Sequence, residues 1–446
     1  MASTSISTTD NPVTLGSMLP IITASTLGTA IEWYNFFFYG FLAVKVFPAV
    51  FFPRLDPFVG IIASFSANFV GFAARPLGGA FFGWSGDRVG RRSTLVVTLL
   101  LMGITTILIG VLPDYATIGI AAPILLTMLR FLQGVSIGGE WGGSVLLAME
   151  YGDDRRRGFW TSWPQTGVPI GVGLSALAVL FFQNLYPGTA FESIGWRIPF
   201  LLSAMLVLVA LYIRLRILET PVFAKVKDEQ QESRAPLLEV WSHWREVLLA
   251  VLLRSGEQAP FYIFTTFALS YGLEVLHLDT SLLYTGLALA ALTSCISIPA
   301  FGAISDRVGR RRWYMLGAVL MSLFAFPYVL LLNTKNPLLV IMAIALSLSV
   351  FHPWLYGPQA ALIAEQFGPR TRYTGASLGY QLASITAGGP APLIATYLLA
   401  NHARLAPGYP AYVLIAAYIA CMAAVSFIAM LPLREYAGKA AAQDRV

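Results

Sequence analysis

The sequence predicts an all-α membrane protein of twelve transmembrane helices in two pseudo-symmetric six-helix bundles, and three observations predict it. The 446-residue chain is 57% hydrophobic and only 12% charged, with a mean hydropathy of +0.68, about half the charge of an average soluble domain. No water-soluble fold hides that much apolar surface. Apolar runs near the ~20 residues needed to cross a hydrocarbon core recur along nearly the whole chain, twelve in all. Finally, one basic turn occurs twice, as Gly83-Trp84-Ser85-Gly86-Asp87-Arg88-Val89-Gly90-Arg91-Arg92 and as Gly302-Ala303-Ile304-Ser305-Asp306-Arg307-Val308-Gly309-Arg310-Arg311. The same turn between apolar runs in both halves means one helical bundle used twice, a pattern of secondary transporters.

The runs justify themselves in order. After a Ser- and Thr-rich tail (1–17), the run 18–47 carries Glu32, Asn35 and Tyr39 along one helical face. Runs 58–82 and 93–112 flank the first basic turn, the former holding Arg75. Run 117–148 places Arg130, Gln133, Ile137 and Glu140 on a stripe, with Gly134, Gly138, Gly139, Gly142 and Gly143 beside it; such small residues let a neighbouring helix approach closely. Run 157–182 sets Gln165 between Pro164 and Pro169, and run 196–217 completes the N-terminal bundle, 18–217. The longest polar stretch, 218–245, reads as a cytoplasmic linker. In the C-terminal bundle, 246–433, run 246–272 aligns Arg254, Glu257, Gln258, Phe261 and Thr265, while Pro260 withholds a backbone bond and loosens the turn around Gly256. Runs 280–304 and 312–332 flank the second basic turn, and 336–366 holds His352 before Pro353. Run 373–400 carries Tyr380 and Gln381 ahead of a break expected at Gly388-Gly389-Pro390, and 408–433 precedes the tail 434–446.

The formal charge of +6 records topology rather than a polyanionic partner. Of 29 Lys and Arg, 21 fall in alternate loops and the C-terminal tail, and only Lys45, Arg54, Arg197, Lys335 and Arg404 lie near the other face. By the positive-inside rule the basic loops and both termini face the cytoplasm of an inner membrane. Nucleic acid is not expected as a partner, and a cleavable signal is not expected either, since no Lys or Arg precedes Lys45. Cys295 and Cys421 sit in apolar runs without CxxC spacing and read as small core residues. Neither a metal nor a cofactor is implied, no nucleophile stands beside a base, and an ATP-driven pump would need a nucleotide domain.

Ionisable groups within spanning helices are functional hypotheses, because even translocon scales charge about 2.5–3.5 kcal/mol for Arg or Asp at mid-helix. Arg130 and Arg254 are the candidates for a substrate carboxylate, a guanidinium fork matching that group. Asn35, Tyr39, Gln133, Gln165, Tyr262, Tyr380 and Gln381 are candidate polar contacts, with Tyr34, Trp141, Trp354 and Tyr356 as further cavity groups. Glu32, Glu140, Glu257 and His352 are candidates for carrying the proton, since burial raises a carboxyl pKa and His titrates near neutrality. Competing readings stand beside these. Arg254 and Glu257 also suit a structural i, i+3 pair, Glu140 an ion-pair partner, His352 a hydrogen-bonded bundle histidine, and the glycines packing. Asp87, Arg88, Arg91, Arg92, Asp306, Arg307, Arg310 and Arg311 read as a cytoplasmic gate, in which an aspartate pairs with arginines or meets a helix N-terminus. Arg75, two turns from the basic loop, is grouped with that gate.

The strings Gly28-Thr29-Ala30-Ile31-Glu32-Trp33-Tyr34-Asn35-Phe36, Arg75-Pro76-Leu77-Gly78-Gly79, Arg130-Phe131-Leu132-Gln133-Gly134, Gly138-Gly139-Glu140-Trp141-Gly142-Gly143 and Gly195-Trp196-Arg197-Ile198-Pro199-Phe200, with the two basic turns, make the chain resemble the major facilitator superfamily, and within it the metabolite:proton symporters, over nearly its full length. The resemblance implies a central cavity, a site near mid-membrane, alternating access by rocking of the halves, and a monomer. It implies cargo such as 2-oxoglutarate, citrate, shikimate, proline or glycine betaine, carried with protons; Arg254, Glu257 and His352 draw the chain toward the shikimate-permease-like branch. One position departs: the first-helix motif of the family ends in Asp, and here it ends in Asn35, an amide that cannot cycle a proton near neutral pH. The function expected is import of a small carboxylate-bearing or zwitterionic metabolite with protons, against an exporter of drugs or metabolites and a non-transporting membrane sensor.

Overall fold

The computed structural model describes residues 15–215, 240, 242–368 and 371–436. Most of the linker expected at 218–245 and most of both tails lie outside the described residues, as do the side chains of Asp87, Arg91 and Arg92. Twelve long helical segments follow in order: α1 (Leu15–Phe51), α2 (Pro57–Arg88), α3 (Arg91–Val111), α4 (Ala121–Tyr151), α5 (Arg157–Leu185), α6 (Arg197–Leu215), α7 (Trp244–Val275), α8 (Thr280–Val308), α9 (Arg310–Asn333), α10 (Pro337–Ala364), α11 (Arg372–Ala400) and α12 (Tyr412–Met430). No strand occurs among the described residues. Segments α3 to α12 are each long and apolar enough to cross a bilayer, and α1 and α2, at 37 and 32 residues, exceed the length required.

The helices match the apolar runs and overshoot them at the basic turns. Helix α2 continues to Arg88 and α3 starts at Arg91, so the motif is one helix end and the next start joined by Val89 and Gly90. Gly90 has φ 125° and its counterpart Gly309 has φ 100°, a region that side-chain-bearing residues avoid. The repeated glycine is therefore demanded by the backbone of the turn.

The molecule is polar inside and apolar outside. Glu32, Arg75, Arg130 and Gln133 are fully buried, whereas Val97, Leu100, Ile104 and Leu108 of α3 and Leu316, Val319, Leu323 and Leu330 of α9 form exposed apolar rows at helical spacing. Such rows are at home against lipid tails, where helices must satisfy their own backbone bonds. Without a hydrophobic drive between helices, close backbone contact holds them together. On the α2–α4 seam an added Cβ at Gly134 would collide with the Gly71 carbonyl, one at Gly138 with the Arg75 carbonyl, and one at Gly78 with the Val135 carbonyl. The glycines of α4 serve packing, as the close-approach reading expects.

Proline interrupts neither α5 nor α11, and the break expected at Gly388-Gly389-Pro390 is absent. Helix α5 runs unbroken through Pro164 and Pro169. Helix α11 passes Gly388-Gly389-Pro390 by a π turn at Ser384–Gly388 rather than by breaking. A second π turn, Ser347–Phe351, precedes His352 and Pro353 in α10. A proline has no N–H for the carbonyl four residues back; widening to a π turn absorbs the misfit while the helix continues, a feature frequent at functional sites.

Candidate functional site

Three polar clusters occupy the middle of the bundle. The first joins α2, α3 and α4. Arg130 donates to Gln133 Oε1 at 2.7 Å and to Asn68 Oδ1, and Gln133 donates onward to Thr106 Oγ1 at 2.8 Å. The guanidinium lies 3.9 Å from the Tyr39 ring centre and 4.5 Å from that of Phe36. Both terminal nitrogens of Arg130 are thus already engaged by amides, with Nε left unpartnered, so the arginine most expected to hold a carboxylate is tied into an amide network in this conformation. Asn35 is fully buried with neither amide atom partnered, and Tyr39 is fully buried beneath Arg130.

The second cluster joins α7, α10 and α11. Glu257 Oε1 lies 2.9 Å from His352 Nε2, and Glu257 Oε2 lies 3.5 Å from Arg254 Nε. Arg254 donates to the Tyr380 carbonyl at 2.5 Å and stacks 3.1 Å over the Tyr380 ring. The Tyr356 and Tyr380 hydroxyls meet at 3.2 Å, and Gln258 donates to Ser384 Oγ at 3.2 Å. His352 stacks on Phe261 at 4.5 Å. The i, i+3 pairing of Arg254 and Glu257 is present, but the shorter bond of Glu257 reaches His352 of another helix, a contact that spacing along one helix cannot reveal. This cluster borders a cavity of about 10 Å³ lined by Trp33, Arg254, Glu257, Tyr262, His352 and Tyr380, among others, room for about one water molecule.

In the third cluster Glu140 of α4 accepts from Ser144 Oγ at 2.7 Å and from Thr29 of α1 at 3.4 Å. Glu32, also of α1, is completely buried.

The halves meet across the seam through groups expected to line a cavity. Gln165 of α5 donates to the Tyr356 carbonyl at 2.5 Å, and Gln381 of α11 donates to the Ile137 and Gly138 carbonyls of α4 at 3.2 and 3.3 Å. Trp141 of α4 stacks on Tyr380 with ring centres 3.6 Å apart. Phe37 of α1 packs on Phe261 and Tyr262 of α7, 5.6 and 6.0 Å away, and Phe41 on Tyr284 of α8 at 5.4 Å. The two halves thus touch both through α4 and α11 and through α1, α7 and α8.

The end of the bundle bearing the basic turns is closed by ions. Asp306 accepts from the backbone N–H of Gly158 at 2.8 Å and of Phe159 at 2.9 Å, and from Arg310 at 2.6 Å. A carboxylate from α8 therefore caps the first turn of α5, where the helix dipole favours negative charge. Glu365 joins the network, 3.1 Å from Arg310 and 3.8 Å from Arg157; burial holds its carboxyl above the usual range despite those two cations. Arg311 donates to the Leu431 carbonyl at 2.6 Å and its backbone N–H to Glu435 at 2.7 Å, tying α9 to the segment after α12. Arg88 lies over Trp84 at 5.5 Å. Tyr373, donating to the Gly139 carbonyl at 2.6 Å, extends the seal between α11 and α4.

Arg75 requires a correction. It lies thirteen positions from Arg88, about 20 Å along a helix, too far to act in the basic turn. Its guanidinium instead sits in a box of rings at the centre, 5.0 Å from Trp33, 4.4 Å from Phe36 and 4.3 Å from Phe72. Sequence reasoning also passed over Asn68, Glu365 and Arg157. Asn68 was recoverable, being a lone amide one helical repeat from Arg75 in an apolar run; Glu365, at the end of the run 336–366, was not distinguishable from loop charge.

Comparison with known proteins agrees with this architecture. The family model of the Major Facilitator Superfamily matches residues 14–389. The chain is 39% identical over 427 residues to the inner membrane metabolite transport protein YhjE of Escherichia coli, covering 94% of this chain and 95% of that one. It is 38% identical to the shikimate transporter of the same organism (90% and 92% covered) and 34% identical to its proline/betaine transporter (95% and 85% covered). Among solved structures, the proton:xylose symporter XylE bound to 6-bromo-6-deoxy-D-glucose superposes with a TM-score of 0.76 over 95% of this chain and 97% of that one, at 15% identity, a likeness of fold. Each of these relatives is named as a transporter and none as an enzyme. Twelve helices, the repeated basic turn and these matches together place the chain in the major facilitator superfamily.

Proposed function

We propose that the protein is a proton-coupled symporter of the inner membrane that imports a small carboxylate-bearing or zwitterionic metabolite by alternating access. The observation that carries the reading is the buried contact of Glu257 with His352, with Arg254 held on the other carboxylate oxygen. The Glu257 carboxylate holds the His352 imidazole on one oxygen and restrains an arginine at the seam with the other. A proton reaching the Glu257–His352 pair from outside weakens the hold on Arg254. The freed guanidinium then takes an anionic group of the cargo. Because Arg254 stacks on Tyr380, and Tyr380 on Trp141 of the opposite half, movement of Arg254 is transmitted to the contact that seals the basic end. A monoanion carried with one proton moves no net charge, whereas a zwitterion with one proton is electrogenic.

The basic turns and both termini face the cytoplasm in this reading, so the Asp306 cap on α5 is the inner gate that breaks for release. The monomer is the functional unit. Relatives named for shikimate and for proline and betaine support a small polar cargo, and the fold likeness to a proton symporter is compatible with coupling.

The test is the Glu257→Gln variant in proteoliposomes, with shikimate, 2-oxoglutarate, proline and glycine betaine offered. Gradient-driven accumulation should be lost while counterflow of the same compound continues. Full gradient-driven accumulation by the variant would remove Glu257 from the coupling step. Accumulation driven only by an outward gradient would reverse the direction to export.

A further inference from the structure

Arg75 is fully buried, and none of its three guanidinium nitrogens makes a well-formed hydrogen bond. The other two central arginines differ: Arg130 spends both terminal nitrogens on Gln133 and Asn68, and Arg254 holds the Tyr380 carbonyl. The rings around Arg75 supply attraction to its charge but no acceptor for its five N–H groups. A buried cation in that condition is unfavourable, and the fold keeps it nonetheless. The Tyr262 hydroxyl of α7 interacts with it as a weak hydrogen-bond partner, short of full hydrogen-bond geometry. Arg254 also acts on Tyr262, close enough to Arg75 for the two guanidinium charges to repel. Two arginines from opposite halves thus converge on one tyrosine, with unmet donors on the α2 side and the small central cavity on the α7 side.

We propose that Arg75 and Arg254 are the two jaws of an anion site centred on Tyr262, and that the cargo is a small organic carboxylate bearing no cationic group. This rests on the transporter reading above and narrows its substrate class. A carboxylate between the jaws fills the empty fork of Arg75, accepts from Tyr262 and screens the repulsion between the two cations. Because the jaws belong to different halves, the same anion favours their approach, which links loading to closure. The exclusion follows from the box itself. Faces of Trp33, Phe36 and Phe72 would suit a quaternary ammonium, but the Arg75 guanidinium already occupies them. A betaine or an amino acid would bring a second cation to a filled box.

The experiment measures thermal stabilisation and Kd for the purified full-length protein with shikimate, benzoate and 2-oxoglutarate, and with glycine betaine and proline, in wild type, Arg75→Gln and Arg75→Lys. At least one carboxylate should bind the wild type, and neither zwitterion should. Arg75→Gln should weaken carboxylate binding about 10- to 100-fold, with Arg75→Lys, which keeps charge without the fork, intermediate. The unliganded Arg75→Gln protein should melt no lower than wild type, because an unmet buried charge is removed; a purely structural arginine would lower it. Binding of glycine betaine or proline, stabilisation by none of the carboxylates, or unchanged carboxylate affinity in Arg75→Gln overturns the proposal. Wild-type uptake of the same compounds under a pH gradient separates the two readings: zwitterion flux sinks the anion site and spares the transporter, whereas carboxylate binding without flux does the reverse.

Discussion

Replacing Asp306 with alanine should open the basic end by an amount the geometry sets. The carboxylate makes three bonds, but the one to Arg310 lies within one half and survives rocking. Only the bonds to the Gly158 and Phe159 amides cross the seam. Hydrogen bonds to a charged group contribute about 1.5 kcal/mol or more each, so the closed basic end should lose about 3 kcal/mol relative to the open one. That is roughly a hundredfold in the opening equilibrium. The assay is maleimide labelling of a cysteine introduced at Ser377, which is fully buried beside Gly142 on the α4–α11 seal, in a background where Cys295 and Cys421 are alanine. Labelling controlled by opening should rise roughly a hundredfold in Asp306→Ala and by less in Asp306→Asn, which keeps one acceptor oxygen. A change of less than about threefold would refute the claim that this cap holds the halves together.

Other consequences follow from the same contacts. Gly302→Ala would drive a methyl into the Gly158 carbonyl across the seam between α5 and α8, so it should also speed labelling at position 377 without removing any charge. Trp141→Ala removes the stack on Tyr380 and should favour the open basic end by about 1 kcal/mol, read as about a fivefold faster labelling. Gly138→Ala, facing the Arg75 carbonyl, should cost about 1–3 kcal/mol through overpacking, seen as a lower Tm in detergent. The pH response of the gate follows from Glu365, whose carboxyl is raised by burial against the lowering influence of Arg310 and Arg157, with Asp306 and Glu435 nearby. The closed state binds its proton more tightly than an opened, wetted state does, so closure is favoured below the ordinary carboxylate value and weakens as pH rises through the raised one. Labelling should therefore accelerate across that window, and Glu365→Gln should flatten the dependence.

The helices were legible because a bilayer dictates their length and a lipid face must be apolar; the rows on α3 and α9 are that requirement made visible. The partners of Asp306, an arginine and a helix start, were also legible, since an acid in a short turn beside arginines has few others within reach. Depth and pairing were not. Arg75 and Arg130 look alike as single cations in apolar runs, and only the positions of Asn68, Gln133 and three aromatic rings separate an arginine held by two amides from one boxed by rings. The bond between Glu257 and His352 joins helices far apart in sequence. Gln165 and Gln381, read as cavity polars, are occupied by backbone carbonyls of the opposing half, partners distant in sequence that leave no mark on local spacing. The π turns escaped notice because proline and glycine signal interruption without saying whether a helix breaks or widens.

The central claim is coupling of proton movement to metabolite movement, and reconstituted wild-type protein tests it most directly. Shikimate, 2-oxoglutarate, proline and glycine betaine would be offered under an inward proton gradient, with lumenal pH and membrane current recorded together. The account predicts saturable uptake of at least one compound with matching lumenal acidification, and for a monocarboxylate no accompanying current. Uptake indifferent to the gradient, or acidification that does not scale with uptake, would contradict it.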